Sequence, residues 1–528
     1  MKRWIAVLIC AGAFWQGIFA SGPAAAAAKD AKETKGKPAA KSEAAASKNQ
    51  KSVTHGSVTI DGKRIAYTAT AGTIVLKNAD GKPTGSMFYV AYVKDGVRHP
   101  SSRPITFLYN GGPGSSSVWL LMGGFGPERV VSGDAQHTPP APFDVVNNQY
   151  SLLDVSDLVF VDAMGTGFSR IIDKAHGGVG TPKDFYGVDA DGKAFDRFIY
   201  DYLSRNDRWN SPKYLLGESY GTTRSAVLAN DLESHGIELN GVMLLSSILT
   251  FETASFNTGN DLPYVLYLPS YAAVACYHKV VKCPADLSGY LGEVESFARG
   301  EYASALMRGD QLSATRRAAV IAKLAQYTGL SAGYLDKADL RVSLPQFMAE
   351  LQRNRGLVTG RLDGRYSGAA ADELAEFAMN DPQSDAITGA YTAAFNRYVR
   401  QTLKFGRDRH YVILSYAVNR AWDWKHRLGP GFGWPGSTNV APDLANAMRT
   451  NPHLRVEIEN GYYDLATPYY ATEYTVDHMG LPPNLRAHIQ LEFYHCGHML
   501  YEHMPSLAEL RTHLVHFYER TDRENAGG

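Results

Sequence analysis

The sequence is poor in cysteine, with four in 528 residues. No two of them form a Cys-x-x-Cys pair, so a zinc site is not predicted. Cys276 and Cys283 are seven residues apart, close enough to form a small-loop disulfide in an oxidising compartment. That pairing would leave Cys496 as an odd thiol in the body of the chain.

The sequence also lacks net charge, because 53 basic residues balance 53 acidic ones. A nucleic-acid-binding protein needs a basic surface, so this balance argues against that class of partner. The charge is unevenly spread, since residues 1–51 contain nine basic and three acidic residues. Hydrophobic residues make up 45% of the chain, which excludes disorder throughout.

The N-terminal apolar segment, Trp4–Phe19, is short for a membrane span. Its sixteen residues fall below the roughly 20 that cross a bilayer, and a membrane anchor is the alternative interpretation. Two basic residues precede the segment, and small residues suited to cleavage follow it as far as Ala28. This pattern predicts a signal peptide over residues 1–28, and hence a secreted or periplasmic protein without a membrane span after processing.

Residues 29–52 are predicted to be a disordered linker, because they are mainly Ala, Lys, Ser and other small or polar residues. Beyond them, segments rich in Val, Ile, Thr and Tyr are separated by Asp-Gly pairs, which is typical of β-hairpins. Antiparallel strands are therefore predicted at Ser57–Ile60, Lys63–Thr70 and Ser86–Lys94.

Short, strongly apolar segments then alternate with helical patterns. Such segments are typical of strands buried on both faces of a parallel sheet, and the alternation predicts an α/β fold. The predicted strands are Ile105–Tyr109, Leu158–Val161, Tyr214–Leu216, Val242–Leu245, Arg455–Glu459 and His488–Phe493. Residues 251–402 interrupt the alternation with helical patterns. We therefore expect a core of residues 53–250 and 403–522 that carries a helical cap insertion.

Residues Gly217–Gly221 read Gly-Glu-Ser-Tyr-Gly and match the pattern Gly-x-Ser-x-Gly. The motif follows the predicted strand Tyr214–Leu216 and precedes a helical segment. That context is required of a nucleophile elbow, a strained strand-to-helix turn that exposes a serine hydroxyl. We therefore predict that Ser219 is a catalytic nucleophile.

A serine hydroxyl needs a base, and the base needs a carboxylate that orients it. In this architecture the two follow the serine in the order Asp, His. Asp464 and His498 each come shortly after a predicted strand, where ligands gather in open α/β sheets. His495 and His503 lie nearby in sequence, but of the three histidines only His498 follows a glycine. The predicted triad is therefore Ser219, Asp464 and His498.

A glycine-rich segment, Asn110–Ser117, follows the predicted strand Ile105–Tyr109. In lipases and esterases such a turn aims backbone N–H groups at the developing oxyanion. A phosphate-binding loop is the alternative, but the segment matches neither Gly-x-Gly-x-x-Gly nor Gly-x-x-x-x-Gly-Lys-Ser/Thr. We therefore predict an oxyanion hole here, with no metal or cofactor.

Together these motifs resemble the serine carboxypeptidases of the vacuolar and lysosomal type. The motifs that carry the resemblance are Asn110–Ser117, Gly165–Ser169, Gly217–Gly221 and Gly497–Met499. The resemblance spans about Phe107 to His516 and implies an α/β-hydrolase fold, with a mostly parallel central sheet and a mainly helical cap. It also implies an enzyme that releases C-terminal amino acids from peptides through an acyl-enzyme.

Carried over to this chain, the resemblance implies that Ser219 is the nucleophile, His498 the general base and then acid, and Asp464 its orienter. The backbone N–H groups of Gly112 and Tyr220 would form the oxyanion hole.

The resemblance further implies that Asn110, the Gly111 N–H and Glu218 bind the terminal carboxylate of the substrate. Two adjacent carboxylates are tolerated only if one is protonated, which implies a leaning toward acidic pH. The chain departs from the family at two points nearby. Gly124 stands where a second glutamate is usual, and Tyr501 stands where proline is usual.

Two other functions remain open. An esterase or acyltransferase would use the same triad, because an acyl-enzyme passes to water or to another nucleophile and the fold does not fix the substrate. A catalytically silent binding protein would not require the complete set of catalytic motifs. The expected partner is therefore a peptide or small ester substrate, and the sequence does not indicate an oligomeric state.

Overall fold

The computed structural model describes residues 48–426 and 436–526. The predicted signal peptide and most of the predicted linker lie outside the described residues. The predicted end of the linker is wrong, because strand β1 (Lys51–Ile60) begins inside it. Lys51 pairs with Gly72 of the next strand, so backbone pairing rather than burial fixes these polar residues.

A ten-stranded sheet forms the centre of the described part. Nine of its strands are β1 (Lys51–Ile60), β2 (Lys63–Lys77), β3 (Pro83–Lys94), β4 (Ile105–Tyr109), β5 (Asp157–Val161), β6 (Lys213–Glu218), β7 (Gly241–Leu245), β8 (Arg455–Gly461) and β9 (Ile489–Tyr494). They lie in the order β1-β2-β3-β5-β4-β6-β7-β8-β9, and the tenth strand, Arg170–Ile171, pairs with β3. The strands from β5 to β9 run parallel, which confirms the predicted α/β sheet.

The strands β1, β2 and β3 are antiparallel, as the hairpin signals predict. Ile60 pairs with Lys63, so Asp61 and Gly62 form a two-residue turn with φ values of 47° and 75°. Two positive φ angles are the reason that Asp-Gly is favoured in such a turn. Strand β2 continues beyond the predicted end at Thr70, because its buried second half still pairs with β3.

The described part contains fourteen α-helices. They are α1 (Val188–Arg205), α2 (Tyr220–Ser234), α3 (Leu262–Tyr277), α4 (Leu287–Phe297), α5 (Ala303–Arg308), α6 (Ala314–Thr328), α7 (Ala332–Lys337), α8 (Leu344–Glu350), α9 (Pro382–Arg397), α10 (Tyr416–Arg420), α11 (Ala441–Thr450), α12 (Tyr469–Asp477), α13 (Pro483–Arg486) and α14 (Met504–Ala526). Two short hairpins lie outside the main sheet, Glu128–Val130 with Val145–Asn147 and Leu357–Thr359 with Ser367–Ala369.

Helices cover both faces of the sheet. On one face, α1 packs Phe195 and Phe198 in the same apolar cluster as Leu215 of β6. On the other face, α14 contributes Phe517 to the cluster that contains Leu216. Successive residues of β6 thus point into opposite cores, as expected for a strand buried on both faces.

The helical insertion does not form a single separate body. Helices α3 to α8 share an apolar cluster of their own. Helix α9 instead joins the cluster of the sheet through Ile387, Tyr391 and Phe395. The structure therefore differs from the predicted cap of residues 251–402, because a helical sequence pattern does not reveal which core a helix packs against.

The cysteines lie at two places in the fold. Cys276, near the end of α3, is disulfide-bonded to Cys283, with the two Cα atoms 5.1 Å apart. Cys496 is buried and free, in the loop after β9. Among the described residues, no helix is both long enough and apolar enough to cross a membrane.

Candidate active site

Ser219 lies in the turn between strand β6 and helix α2. Its φ of 62° and ψ of −131° are strained for a residue with a side chain. Glycines on both sides allow the turn to form. A Cβ atom on Gly217 would lie 2.3 Å from the Gly221 oxygen, and one on Gly221 would lie 2.7 Å from the Tyr109 oxygen. The serine itself is only half-buried, so the elbow presents its hydroxyl at the end of a parallel strand.

His498 and Asp464 form a buried hydrogen-bonded pair, with 2.8 Å between His498 Nδ1 and Asp464 Oδ2. Asp464 follows β8 and His498 follows β9, at the same edge of the parallel sheet as the end of β6. An ionised carboxylate only accepts hydrogen bonds, so the proton of the neutral imidazole lies on Nδ1. Nε2 is then left as a proton acceptor.

Asp464 is held by its own turn. Its Oδ1 accepts hydrogen bonds from the backbone N–H groups of Ala466 at 2.7 Å and Thr467 at 2.9 Å. The Thr467 hydroxyl donates to Oδ2 at 2.7 Å and lies 3.2 Å from His498 Nδ1. Thr467 therefore fixes the carboxylate that orients the histidine. Thr467 is not among the residues predicted from sequence, although Asp-x-x-Thr is a recognisable side-chain-to-backbone turn pattern.

The backbone of His498 is fixed by two further contacts. Its N–H donates to the Leu362 carbonyl at 2.6 Å, and its carbonyl accepts from the Ser246 hydroxyl, also at 2.6 Å. A Cβ atom on Gly497 would lie 2.3 Å from the Asp363 side chain, so glycine is required before the histidine. The prediction of His498 from sequence used the preceding glycine, and this close contact is the physical reason for that glycine.

The nearby histidine at 503 has different partners. His503 Nδ1 lies 2.7 Å from the Ser506 hydroxyl, and its Nε2 lies 3.8 Å from an Asp134 carboxylate oxygen. His495 packs at 5.5 Å, centroid to centroid, against the Tyr462 ring. Of the three histidines in this segment, His498 is the one that the fold brings to Asp464.

The protonation of His498 depends on two opposing effects. Burial lowers the pKa of the imidazole, because the charged form loses its hydration. The adjacent Asp464 carboxylate outweighs burial and raises the pKa above its ordinary value, and the charge of Glu218 acts in the same direction. His498 is therefore a stronger base than a free histidine.

The glycine-rich segment packs directly against the start of helix α2. A Cβ atom on Gly111 would lie 2.4 Å from the Tyr220 nitrogen, so only glycine permits this approach. Gly112 follows with a φ of 106°, a conformation that favours glycine. Ser117 anchors the far end, since its N–H donates to Asp162 Oδ1 at 2.9 Å. The two predicted oxyanion-hole residues, Gly112 and Tyr220, are thus brought together beside Ser219.

Asn110 is buried and held in one orientation. Its Oδ1 accepts from the Leu120 N–H at 3.1 Å, and its backbone carbonyl accepts from Arg224 Nη1 at 2.8 Å. Arg224 is itself paired with Asp191 at 2.6 Å. With Oδ1 occupied, the side-chain N–H₂ of Asn110 is directed to Glu218, to which it is hydrogen-bonded.

Glu218 is a buried carboxyl group immediately before the serine. Burial raises its pKa to about 7, while the charge of His498 and hydrogen bonds from Tyr501 and Asn110 oppose the shift. Its Oε2 atom is buried and has no well-formed hydrogen bond within the described part of the chain. Glu218 is thus a carboxyl group that holds its proton up to neutral pH and has an oxygen available to a ligand.

Tyr501 stands beside Glu218, in the space that the glycine at position 124 leaves open. A Cβ atom on Gly124 would lie 3.4 Å from the Tyr501 ring. Positions 124 and 501 are the two nearby departures from the family pattern, and the fold brings them into contact. Their distance along the chain hides the contact, which only the fold reveals.

The described residues contain no group of histidine, cysteine and carboxylate side chains that could hold a metal ion.

Comparison with known proteins agrees with the motifs. The model of the serine carboxypeptidase family matches residues 66–264, which include the glycine-rich segment and the elbow. Among curated proteins, serine carboxypeptidase-like 25 of Arabidopsis thaliana is 24% identical over 224 residues, and serine carboxypeptidase-like 7 of the same plant is 31% identical over 136 residues. The chain resembles the serine carboxypeptidases.

These sequence matches are partial. They cover 41% and 25% of this chain, and 43% and 28% of the two relatives, so the chain spans less than half the length of the curated relatives it matches. The solved structure of Kex1(delta)p, a prohormone-processing carboxypeptidase from Saccharomyces cerevisiae, superposes with a TM-score of 0.54 at 17% identity. It covers 86% of this chain and 91% of that one, which confirms the α/β-hydrolase fold.

Proposed function

We propose that this protein is a serine carboxypeptidase that removes C-terminal amino acids from peptides. The observation that carries the proposal is the buried carboxyl group of Glu218, which stands directly before Ser219 and close to His498. A protonated acid with an available oxygen is suited to bind the terminal carboxylate of a peptide. In this position it would place the last peptide bond at the serine.

The first half of the reaction uses the Asp464–His498 pair. The Ser219 oxygen attacks the carbonyl carbon of the last peptide bond while its proton passes to His498 Nε2. The oxyanion is stabilised by the N–H groups of Gly112 and Tyr220, the second of which lies at the positive end of helix α2. When the intermediate collapses, His498 gives its proton to the amine of the leaving amino acid, and an acyl-enzyme remains.

In the second half, water replaces the amine. His498 takes a proton from the water molecule as its oxygen attacks the acyl-enzyme, and the same two N–H groups stabilise the second oxyanion. Collapse of this intermediate returns the proton to Ser219 and releases the shortened peptide. Asp464 stays ionised throughout and stabilises the imidazolium form of His498.

The experiment that tests the proposal compares an N-blocked dipeptide with its C-terminal amide from pH 4 to pH 8. A carboxypeptidase is expected to cleave the free acid with a kcat/KM roughly 100-fold or more above that of the amide, because the amide cannot fill a carboxylate site. Equal kcat/KM values for the two substrates would refute the proposal.

An esterase or acyltransferase is the second candidate, and the residue at position 124 favours it. Gly124 supplies no second carboxyl group beside Glu218, which loses its proton above a pH of about 7. A small neutral ester needs the triad alone and does not need a protonated Glu218. Rapid ester hydrolysis with no preference for free-acid peptides would support this function instead.

We also propose that the protein acts outside the cytoplasm. The Cys276–Cys283 disulfide needs an oxidising compartment to form and persist. A signal peptide over residues 1–28 would direct the chain there, and N-terminal sequencing of exported protein tests this. A mature chain that still begins at Met1 would contradict it.

Replacement of Glu218 by glutamine is expected to change the pH profile. In the wild type, kcat/KM for the free acid should rise as His498 loses its proton and fall about tenfold per pH unit above the Glu218 pKa of about 7. In Glu218→Gln the neutral amide cannot ionise, so the fall at high pH should disappear. The rise at low pH should change little, because Glu218 is already protonated and uncharged below its pKa of about 7.

The matched control is Glu457→Gln. Burial raises the pKa of Glu457 to about 7 as well, but its partner is Arg520, whose Nη2 lies 2.9 Å from its carboxylate. This control should keep the wild-type profile. A Glu218→Gln enzyme that still loses activity above pH 7 would show that another group controls that limb.

A further inference from the structure

Tyr501 occupies a position that two glycines make available. A Cβ atom on Gly123 would lie 2.6 Å from the Tyr501 ring, and one on Gly124 would lie 3.4 Å from it. Any longer side chain at position 124 would compete with the ring for the same space. The Tyr501 ring therefore fits here only because Gly123 and Gly124, which follow the glycine-rich segment, have no side chains.

The hydroxyl group of Tyr501 is buried and lacks a well-formed hydrogen bond within the described residues. The same is true of Glu218 Oε2. The two groups face each other, and the Tyr501 hydroxyl acts as a hydrogen-bond donor to Glu218, although the contact falls short of good hydrogen-bond geometry. Buried polar atoms are seldom left in this state, and a polar group of the substrate that enters between these two would complete the hydrogen bonding of both.

The hydroxyl group of a neighbouring tyrosine, Tyr391, has a hydrogen-bond partner within the protein. The Tyr391 hydroxyl donates to the buried carboxylate of Glu502, which also accepts from Ser132 at 2.5 Å. The Tyr391 ring packs against Trp119, with 4.9 Å between the ring centroids. Tyr391 is thus bonded to a carboxylate of the scaffold, whereas the carboxyl group that Tyr501 faces is Glu218, which the proposed function assigns to substrate binding.

We propose that the Tyr501 hydroxyl donates a hydrogen bond to the terminal carboxylate of the substrate and is a specificity-determining residue. This inference rests on the proposed carboxypeptidase function. The ligand that fits between a phenol donor, a protonated Glu218 and the Asn110 amide is a carboxylate, because its oxygens accept from all three. Burial also keeps the Tyr501 pKa well above its ordinary value, so this donor stays protonated at every pH at which the triad works.

The proposal gives the two departures at 124 and 501 a common explanation. The glycine removes a side chain from one wall of the carboxylate site, and the tyrosine ring enters from another wall to supply a donor. Unlike a second carboxyl group, a phenol binds a carboxylate without having to take up a proton first. Carboxylate binding at this site then needs one protonated acid, Glu218, rather than two.

The test is the variant Tyr501→Phe, which keeps the ring over Gly124 and removes only the hydroxyl. We measure kcat/KM for an N-blocked dipeptide and for its C-terminal amide. The ratio of the two is expected to fall by roughly 10- to 100-fold, mainly through a higher KM for the free acid, since one hydrogen bond to a charged group is lost. Tyr398→Phe is the matched control, because it removes a buried hydroxyl that bonds Tyr92 at 2.8 Å, and it should leave the ratio unchanged.

The outcomes separate this inference from the proposed function. If the wild type prefers the free acid and Tyr501→Phe keeps that preference, the role of Tyr501 is refuted and the carboxypeptidase function stands. If the wild type shows no preference, both are refuted. Calorimetric binding of the free-acid dipeptide to Ser219→Ala, with and without Tyr501→Phe, repeats the test without turnover, and equal Kd values would also overturn the inference.

Discussion

Replacing Ser219 by alanine is expected to lower kcat for an N-blocked dipeptide by roughly 10⁵- to 10⁶-fold. In the proposed mechanism the Ser219 hydroxyl oxygen attacks the substrate, and the oxyanion hole alone would retain only a small residual rate. Covalent labelling by a fluorophosphonate probe should disappear together with activity. Steady-state kinetics and mass spectrometry of the labelled protein measure the two effects independently.

Ser270→Ala is the matched control for this variant. Ser270 is fully buried in helix α3, and its hydroxyl has no hydrogen-bond partner within the described residues. Its removal should leave both kcat and labelling intact. If Ser219→Ala still reacted with the probe at a serine, the nucleophile would lie elsewhere and the triad assignment would be wrong.

The parallel part of the sheet could be predicted from sequence because each strand is buried on both faces. Strand β4 begins and ends at the predicted residues, and β5 and β7 each begin one residue before the prediction. Strand β1 was harder to predict, because its N-terminal residues are polar and are fixed only by pairing with β2. Local composition carries no information about that partner.

The candidate site likewise has a part that could be predicted from sequence and a part that could not. The elbow was predictable because a strained turn imposes glycines at fixed offsets, as Gly217 and Gly221 show. The contact of Tyr501 with Gly124 was not, because it joins segments separated by most of the chain. A motif records the local demands of the backbone, whereas such a contact depends on the assembled fold.

The insertion also helps to position two residues of the predicted triad. Residues 361–364 contact both the loop after β8, which carries Asp464, and the loop after β9, which carries His498. The Leu465 N–H donates a hydrogen bond to the Arg361 carbonyl at 3.1 Å. The Gly364 N–H donates one to the Tyr463 carbonyl at 2.8 Å. Together with the contact between the Leu362 carbonyl and the His498 N–H, these bonds hold the loops after β8 and β9 at a fixed separation. The insertion is therefore part of the scaffold that keeps Asp464 and His498 within hydrogen-bonding distance.

Replacing Asp464 by asparagine is expected to lower kcat by about 10⁴-fold while the fold is retained. The amide can donate to His498 Nδ1, which favours the tautomer with its proton on Nε2, where it cannot accept the serine proton. The residual activity should also begin at lower pH, because Asp464 raises the His498 pKa and its removal lets the imidazole lose its proton earlier. A pH profile of kcat/KM on an N-blocked dipeptide measures both effects.

The control for this variant is Asp173→Asn, which alters a second Asp–His pair that lies on the surface. Asp173 Oδ1 is 2.6 Å from His176 Nδ1, and both side chains are about half exposed. Since that pair is solvated and outside the site, its loss should not change kcat or the pH profile. An Asp464→Asn enzyme within tenfold of wild-type kcat would mean that Asp464 only supports the loop. In that case the short contact between Asp464 and His498 would have a structural role, and the group that orients the base would have to be sought elsewhere.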